Sequence, residues 1–388
     1  MKNFLKAILP IVLIAGCYST IDKKPSEKAK EDSTSYYPPA PVTISKAEYR
    51  RYYRAAQEFY ENELQSSHFN GQFLVAKKGQ LIYEKNAGFE RLYGKDTMSS
   101  HSPLQLASVS KTFTGMGILK LWEEGKLQIS DEVSKYLIGF PYPGVTIKTL
   151  LNHRSGLPNY VHVMELLGWD KNRIVSNEDV LQFLIDNKKK LQVGTPNRGF
   201  SYCNTNFALL ALIIERVSGK PYPVFMKETF FAPLQMNDTY VFTMSDSARA
   251  IPSYNWRNRQ EAFTFLDAVY GDKNVFSTAN DMLKWDNALV YGNLFKPATL
   301  DSAYSGYSYE KRGIKNYGLG WRMLEYPTGE KIIYHNGWWH GSNTVFARLL
   351  QDSATIIILG NRFDKNIYHA KKLFPVFGKY DAEEDTDE

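Results

Sequence analysis

The chain has 388 residues, 43% of them apolar and 14% aromatic, with a net charge of +6. That is enough apolar chain to bury a sizeable core, in one large domain or two intimate ones. Lysines and arginines are scattered along it, which excludes the clustered basic footprint of a nucleic-acid binder.

The first element in chain order is a targeting signal. "MKNFLK" carries positive charge, and "AILPIVLIAG" is a ten-residue apolar stretch. Ten residues are too few to span a bilayer but suit a secretory signal. The stretch ends in "IAGC", which resembles a bacterial lipobox cleaved before Cys17. On that resemblance residues 1–16 are a signal peptide and Cys17 is the lipidated N-terminus, so the expected location is the cell envelope, lipid-anchored to a membrane and periplasmic or surface-exposed. An uncleaved signal anchor is the alternative. Residues 17–43 are polar and proline-bearing and read as a tether without a core. Cys203 is the only other cysteine, so acylation of Cys17 leaves no intrachain disulfide.

Residues 44–378 carry the folding pattern. "SKAE" at Ser45 is a capping box that opens an aromatic-rich helix over 45–64. "GQFLVA" and "QLIYEKNAG" follow, separated by "KKG", and read as a β-hairpin. A helix led by Ser108 comes next, with apolar positions that include Phe113, Met116, Leu119 and Trp122. Residues of about 120–300 are mostly helical patterns. Among them "FALLALIIERVSG" reads as a buried helix ending at a glycine, and Ser277 or Thr278 caps another. Strand signals return in "EKIIYH", "NTVFARLL" and "ATIIILG", and "DKNIYHAKKLFPVFG" reads as a helix interrupted by Pro375. Residues 379–388 hold the run "DAEEDTDE" and read as an acidic, solvated, disordered tail. Strands at both ends and helices between them predict an α+β fold. Its antiparallel sheet of about five strands is covered on one face by the N- and C-terminal helices, with a large all-helical subdomain inserted beside it.

Three short motifs carry the chemistry. Ser-x-x-Lys occurs twice, at Ser108 and Ser308, and about two matches are expected by chance. Context separates them. Ser308 lies in polar "AYSGYSYEKRGIK", whereas Ser108 opens an apolar helix. Lys111 is one turn on and shares its face. Burial disfavours the charged form of a lysine, and a neutral amine can take a serine's proton. A serine N-cap beside a surface lysine is the competing reading. Tyr202 in "FSYCNTNFALL" precedes the buried helix and is followed by Asn204. A phenol near a lysine can shuttle protons. Tyr-x-Asn alone is weak, since it recurs at Tyr60, Tyr291 and Tyr334, and a capping asparagine beside an interfacial tyrosine is the alternative. In "YHNGWWHGSN", His335 and Gly337 stand at a strand end. A glycine there allows close approach to the backbone, and the amide of Trp338 could meet a developing oxyanion. A plain hairpin turn is the alternative. His335 and His340 make no zinc signature, and "TGMG" lacks the rest of a phosphate loop. No metal or cofactor is expected.

Together and in this order, these motifs resemble the β-lactamase-related serine hydrolases: class C β-lactamases, the matching DD-carboxypeptidases, family-VIII esterases and D-aminopeptidases. The resemblance spans about residues 45–375 and extends to "TIKTLLNHRSGLPNY", "SGKPYPVFMKETFFAPLQMNDT" and "NVFSTANDMLKWDNAL". It implies Ser108 as acyl-forming nucleophile and Lys111 as its base partner, with Tyr202 sharing proton transfer. It also implies that Asn204 orients the lysine and meets a substrate amide, that the amides of Ser108 and Trp338 form an oxyanion hole, and that Tyr160 contacts substrate. Those enzymes usually carry Lys-Thr-Gly where this chain has "HNG". His335 would be only partly charged near neutrality, a weaker grip on a substrate carboxylate, and Trp338 and Trp339 add an apolar wall. The expectation is an acyl-enzyme hydrolase of esters or amides, a carboxylesterase or D-amino-acid-directed peptidase before a β-lactamase. Its partners are a small ester, peptide or cell-wall fragment, and a membrane through the lipid anchor. The alternative is a non-catalytic or slowly deacylating peptidoglycan- or β-lactam-binding protein on the same fold. The oligomeric state is not legible.

Overall fold

The computed structural model describes residues 42–380; Cys17, the signal peptide and the acidic run from Asp381 lie outside the described residues. In chain order the strands are β1 Gly71–Lys77, β2 Gln80–Ala87, β3 Leu104–Gln105, β4 Tyr240–Val241, β5 Val275–Ser277, β6 Lys315–Tyr317, β7 Arg322–Glu325, β8 Lys331–Trp339, β9 Ser342–Leu349 and β10 Ala354–Gly360. The α-helices are α1 Lys46–Phe59, α2 Ser110–Glu123, α3 Ile147–Leu151, α4 Tyr160–Leu166, α5 Asn177–Asp186, α6 Asn204–Ser218, α7 Tyr222–Met226, α8 Ala279–Tyr291, α9 Pro297–Ala303 and α10 Phe374–Phe377.

The five long strands are those the alternation and apolar runs mark, and they build one antiparallel sheet from both ends of the chain. β6 and β7 lengthen it, giving the order β2-β1-β10-β9-β8-β7-β6. In β1 and β10 every position is buried, because both sheet faces are covered. Side chains alternate across a strand, so one strand feeds two cores. Phe73, Val75, Ile356 and Ile358 pack with Tyr52, Ala56 and Phe59 of α1 and with Ile367 and Leu373 near the C-terminus. Leu74, Ala76, Ile357 and Leu359 pack with Phe113 and Met116 of α2 and with Trp285 of α8. Truncating a fully buried isoleucine such as Ile357 to alanine costs about 2–5 kcal/mol.

The capping box at Ser45 is present, with Glu48 reaching back to it. Helix α6 is buried from Thr205 to Ile214 and closes at Gly219 with φ 69°, a left-handed value that glycine adopts at little cost. Thr278, and not Ser277, caps α8. The chain's last segment differs from the expected interrupted helix. Residues Lys365–Leu373 form a 3₁₀ helix, and Pro375 sits in the first turn of α10, where its missing N–H needs no partner. The folded chain also runs past the expected boundary at 378. Tyr380 is buried, packs on Phe374 and gives its hydroxyl to Asp352. Within the helical middle, β4 and β5 join β3 in a second small sheet, in which Phe276 faces both Gln105 and Tyr240.

Candidate active site

Ser108 lies in a 3₁₀ turn, Ala107–Val109, that leads from β3 into α2. The turn is held on every side. The Leu106 amide donates to the Val275 carbonyl at 2.8 Å, and the Ser110 hydroxyl accepts from the Val275 amide at 2.9 Å. Ala107 takes φ 46°, a left-handed conformation that costs a non-glycine residue about 1–3 kcal/mol. That strain sits one residue before Ser108, where the surrounding bonds impose it.

Lys111 follows one helical turn later and is fully buried. Helix α2 is buried on nearly all sides, with Trp122 only partly so, so the lysine faces protein and not solvent. Its Nζ is 3.1 Å from Ser108 Oγ and donates to the backbone carbonyl of Asp272 at 2.8 Å. The rings of Tyr202 and Phe207 lie 5.0 and 5.7 Å from the nitrogen. Ser308, by contrast, accepts a bond from Arg154 at 3.1 Å in a separate loop and has no lysine partner among the described residues.

Tyr202 precedes α6, and its hydroxyl has no hydrogen-bond partner among the described residues. Its ring is set by neighbours. His153 lies 4.3 Å from it, centroid to centroid, and the Arg322 guanidinium carbon is 5.1 Å from it. His153 Nδ1 accepts from the Cys203 amide at 3.1 Å, which fixes the backbone beside Tyr202. Burial, then the Lys111 charge, holds this histidine well below its ordinary 6.5, so the imidazole is neutral and Nδ1 is free to accept.

Gly337 explains how β8 reaches the serine. A Cβ placed there would lie 2.2 Å from Thr344 Oγ1 and 2.4 Å from the Leu106 carbonyl. The strand therefore rests directly on the segment that enters the Ser108 turn. Thr344 of β9 adds a bond to the same Leu106 carbonyl at 2.8 Å. Pairing of β7 with β8 stops at Arg322 and Tyr334, so from His335 to Trp339 the strand has no β7 partner on that side. The strand itself runs through "HNGWW" to Trp339, longer than the expected end at His335. The Trp338 indole is exposed and bonds to the His340 carbonyl at 3.0 Å.

Four expectations need correction or refinement. His335 is fully buried. Its Nδ1 donates to the Asn336 carbonyl at 2.7 Å and Nε2 meets the Tyr317 hydroxyl at 3.2 Å. Burial, then the charges of Arg322 and Lys111, pushes it well below its ordinary value, so it is neutral rather than partly charged. Asn204 makes no hydrogen bond to the lysine: its Oδ1 is buried without a protein partner among the described residues, and Lys111 donates to the Asp272 carbonyl. Tyr160 is fully buried, with its hydroxyl engaged inside the protein. Its hydroxyl donates to Asp272 Oδ2 at 3.0 Å and accepts from Lys273. The fourth concerns charge. Beside Tyr202 lies a cation that no motif marked, Arg322, whose Nε is buried without a protein partner among the described residues. Neither Asp272 nor Arg322 carried a motif. Asp272 acts through a backbone carbonyl, and Arg322 reaches the site through strand pairing.

The family described as Beta-lactamase matches residues 56–373. Penicillin-binding protein 4* of Bacillus subtilis (strain 168) is 33% identical over 328 residues, covering 80% of this chain and 72% of that protein. The chain spans 63% and 44% of two further curated relatives. Among solved structures, a penicillin-binding protein from Bacillus halodurans superposes with TM-score 0.71 at 22% identity, covering 82% of this chain and 98% of that one. A D-amino acid amidase from Ochrobactrum anthropi SV3 superposes with TM-score 0.68 at 20% identity, covering 83% and 98%.

Proposed function

The chain belongs to the β-lactamase family of serine hydrolases, and from that premise we propose that it cleaves ester or amide bonds through an acyl-enzyme on Ser108. The observation that carries this reading is the 3.1 Å approach of a fully buried Lys111 to Ser108 Oγ. Lys111 keeps one hydrogen on the Asp272 carbonyl and, once it has released one proton, offers its lone pair to the Ser108 hydroxyl. Ser108 Oγ attacks the substrate carbonyl as its proton passes to Nζ. The amides of Ser108 and Trp338 receive the oxyanion, and Gly337 allows the strand to come close enough for that. The free hydroxyl of Tyr202 relays a proton to the leaving group. Water then releases the acyl group by the reverse sequence. The unpartnered Asn204 oxygen is an acceptor for a substrate N–H.

Substrate class follows from charge. Arg322 is a cation beside Tyr202, always charged, and it fits a substrate that carries a carboxylate on its leaving-group side. With penicillin-binding proteins and a D-amino acid amidase among its relatives and fold neighbours, the reading is a peptide ending in a D-amino acid. The test is hydrolysis of a D-Ala-D-Ala peptide, its C-terminal amide and p-nitrophenyl acetate by wild type and Arg322→Met. A charge-assisted contact contributes about 1.5–3 kcal/mol. Arg322→Met should therefore cost roughly ten- to a hundredfold in kcat/KM on the free acid and little on the ester. Equal losses on all three substrates would contradict the carboxylate assignment. Acylation without turnover would leave a binding protein.

A further inference from the structure

Two adjacent residues behind the lysine are buried and oppositely charged. Asp272 and Lys273 side chains are 0% and 2% exposed and meet at 3.2 Å. Asp272 has two attachments. Its backbone carbonyl accepts from Lys111 at 2.8 Å, while its carboxylate accepts from Lys273 and, at 3.0 Å, from the Tyr160 hydroxyl. Lys273 also stands 4.8 Å from the Trp339 ring and 5.0 Å from the Tyr160 ring. Trp339 is anchored in turn, its indole donating to Asp267 at 2.6 Å. It directly follows Trp338, the residue whose amide is assigned to the oxyanion.

We propose that Lys273 is a positioning residue: through Asp272 it aims Lys111 at Ser108, and through Trp339 it ties that aim to the strand carrying the Trp338 amide. This rests on the Ser108 reading above. The backbone on either side of Asp272 is already pinned, after it by the Val275 amide, which donates to Ser110 of α2 at 2.9 Å, and before it at Gly271. The Gly271 carbonyl accepts from Thr114 of α2 at 2.6 Å, and a Cβ at Gly271 would lie 2.4 Å from the Phe207 carbonyl of α6. Between these fixed points the tilt of the Asp272 peptide is set by its own side chain, and Lys273 and Tyr160 hold that side chain. Stability alone is a poor reason for such a pair, since buried ion pairs can often be replaced by apolar residues at no cost. Removing the ammonium alone leaves a buried carboxylate that must reorient or find water. The carbonyl that aims Lys111 then moves with it.

The test compares wild type, Lys273→Met and the double variant Asp272→Asn/Lys273→Met. Tm, kcat and KM on p-nitrophenyl acetate are measured with the rate of labelling by a fluorophosphonate, and Ser108→Ala is the control. Lys273→Met should lower Tm, and should lower kcat about 10- to 100-fold, the scale of a small misplacement of reacting groups, with KM little changed. The double variant leaves no orphan charge, so Tm should recover while kcat and labelling stay low. Recovery of kcat along with Tm would reduce the pair to a structural role and overturn the proposal, as would unchanged kcat in a folded Lys273→Met. Labelling that survives Ser108→Ala would remove the premise, and the proposal with it.

Discussion

Gly337→Ala adds one methyl group where the strand meets the nucleophile's turn. The new Cβ would sit 2.2 Å from Thr344 Oγ1, 2.4 Å from the Leu106 carbonyl and 3.1 Å from Ala107 Cβ. Backbone and a buried hydroxyl form two of these contacts, so no flexible side chain can swing clear. The strand must retreat by roughly 1 Å to restore ordinary contact, a displacement that can cost about 100-fold when reacting groups are misplaced. Two consequences separate. Overpacking should lower stability by about 1–3 kcal/mol. The Trp338 amide moves away from the Ser108 amide, and loss of one oxyanion donor costs about 10²–10³ in kcat. The assay is kcat and KM on p-nitrophenyl acetate at a temperature where circular dichroism shows the variant folded. A kcat within about threefold of wild type, too small a change to reflect a lost transition-state contact, would refute the placement of β8 against the serine.

Two further outcomes follow from the same geometry. Lys111→Arg should be nearly as damaging as Lys111→Ala, because a guanidinium stays protonated and cannot act as a base; near-normal turnover measured on the same ester would leave the lysine no part in proton transfer. His153 and His335 both have folded-state values held well below 6.5 by burial. Both are neutral in folded and unfolded chains above pH 7. Below 6.5 the unfolded chain takes up protons that the folded chain refuses, so Tm should fall between about pH 6.5 and 5, each histidine contributing up to about 1.4 kcal/mol per pH unit. Thermal melts across that range check it, and His335→Gln should flatten part of the slope.

The elements legible in the sequence were those with a repeating or local signal. Five strands announced themselves through alternation or unbroken apolar runs, and Ser45 through its partner Glu48. Strands of two to four residues such as β3, β4 and β7 are too short for periodicity, and their partners lie far along the chain. The candidate site divides the same way. Ser108 and Lys111 are one turn apart, so a helix alone brings them together. The Asp272 carbonyl reaches Lys111 across 161 positions, and a backbone oxygen has no residue type to betray it. His335 showed its identity but not its burial, and only burial beside Arg322 decides its charge. Lysine substituted at that position would meet Arg322 and Lys111 without solvent. Tyr160 was legible as a notable tyrosine, yet its neighbours Asp272 and Lys273 turn its hydroxyl inward.

The central claim is that Ser108 becomes acylated. Wild type and Ser108→Ala should each be incubated with a fluorophosphonate and with a slowly turned-over ester, then analysed by intact mass and peptide mapping. A single adduct on the peptide containing Ser108 is expected, absent from Ser108→Ala, together with a loss of turnover on the order of 10⁴-fold or more in that variant. An adduct mapped to Ser308, or a Ser108→Ala protein that hydrolyses the ester at the wild-type rate, would contradict the account.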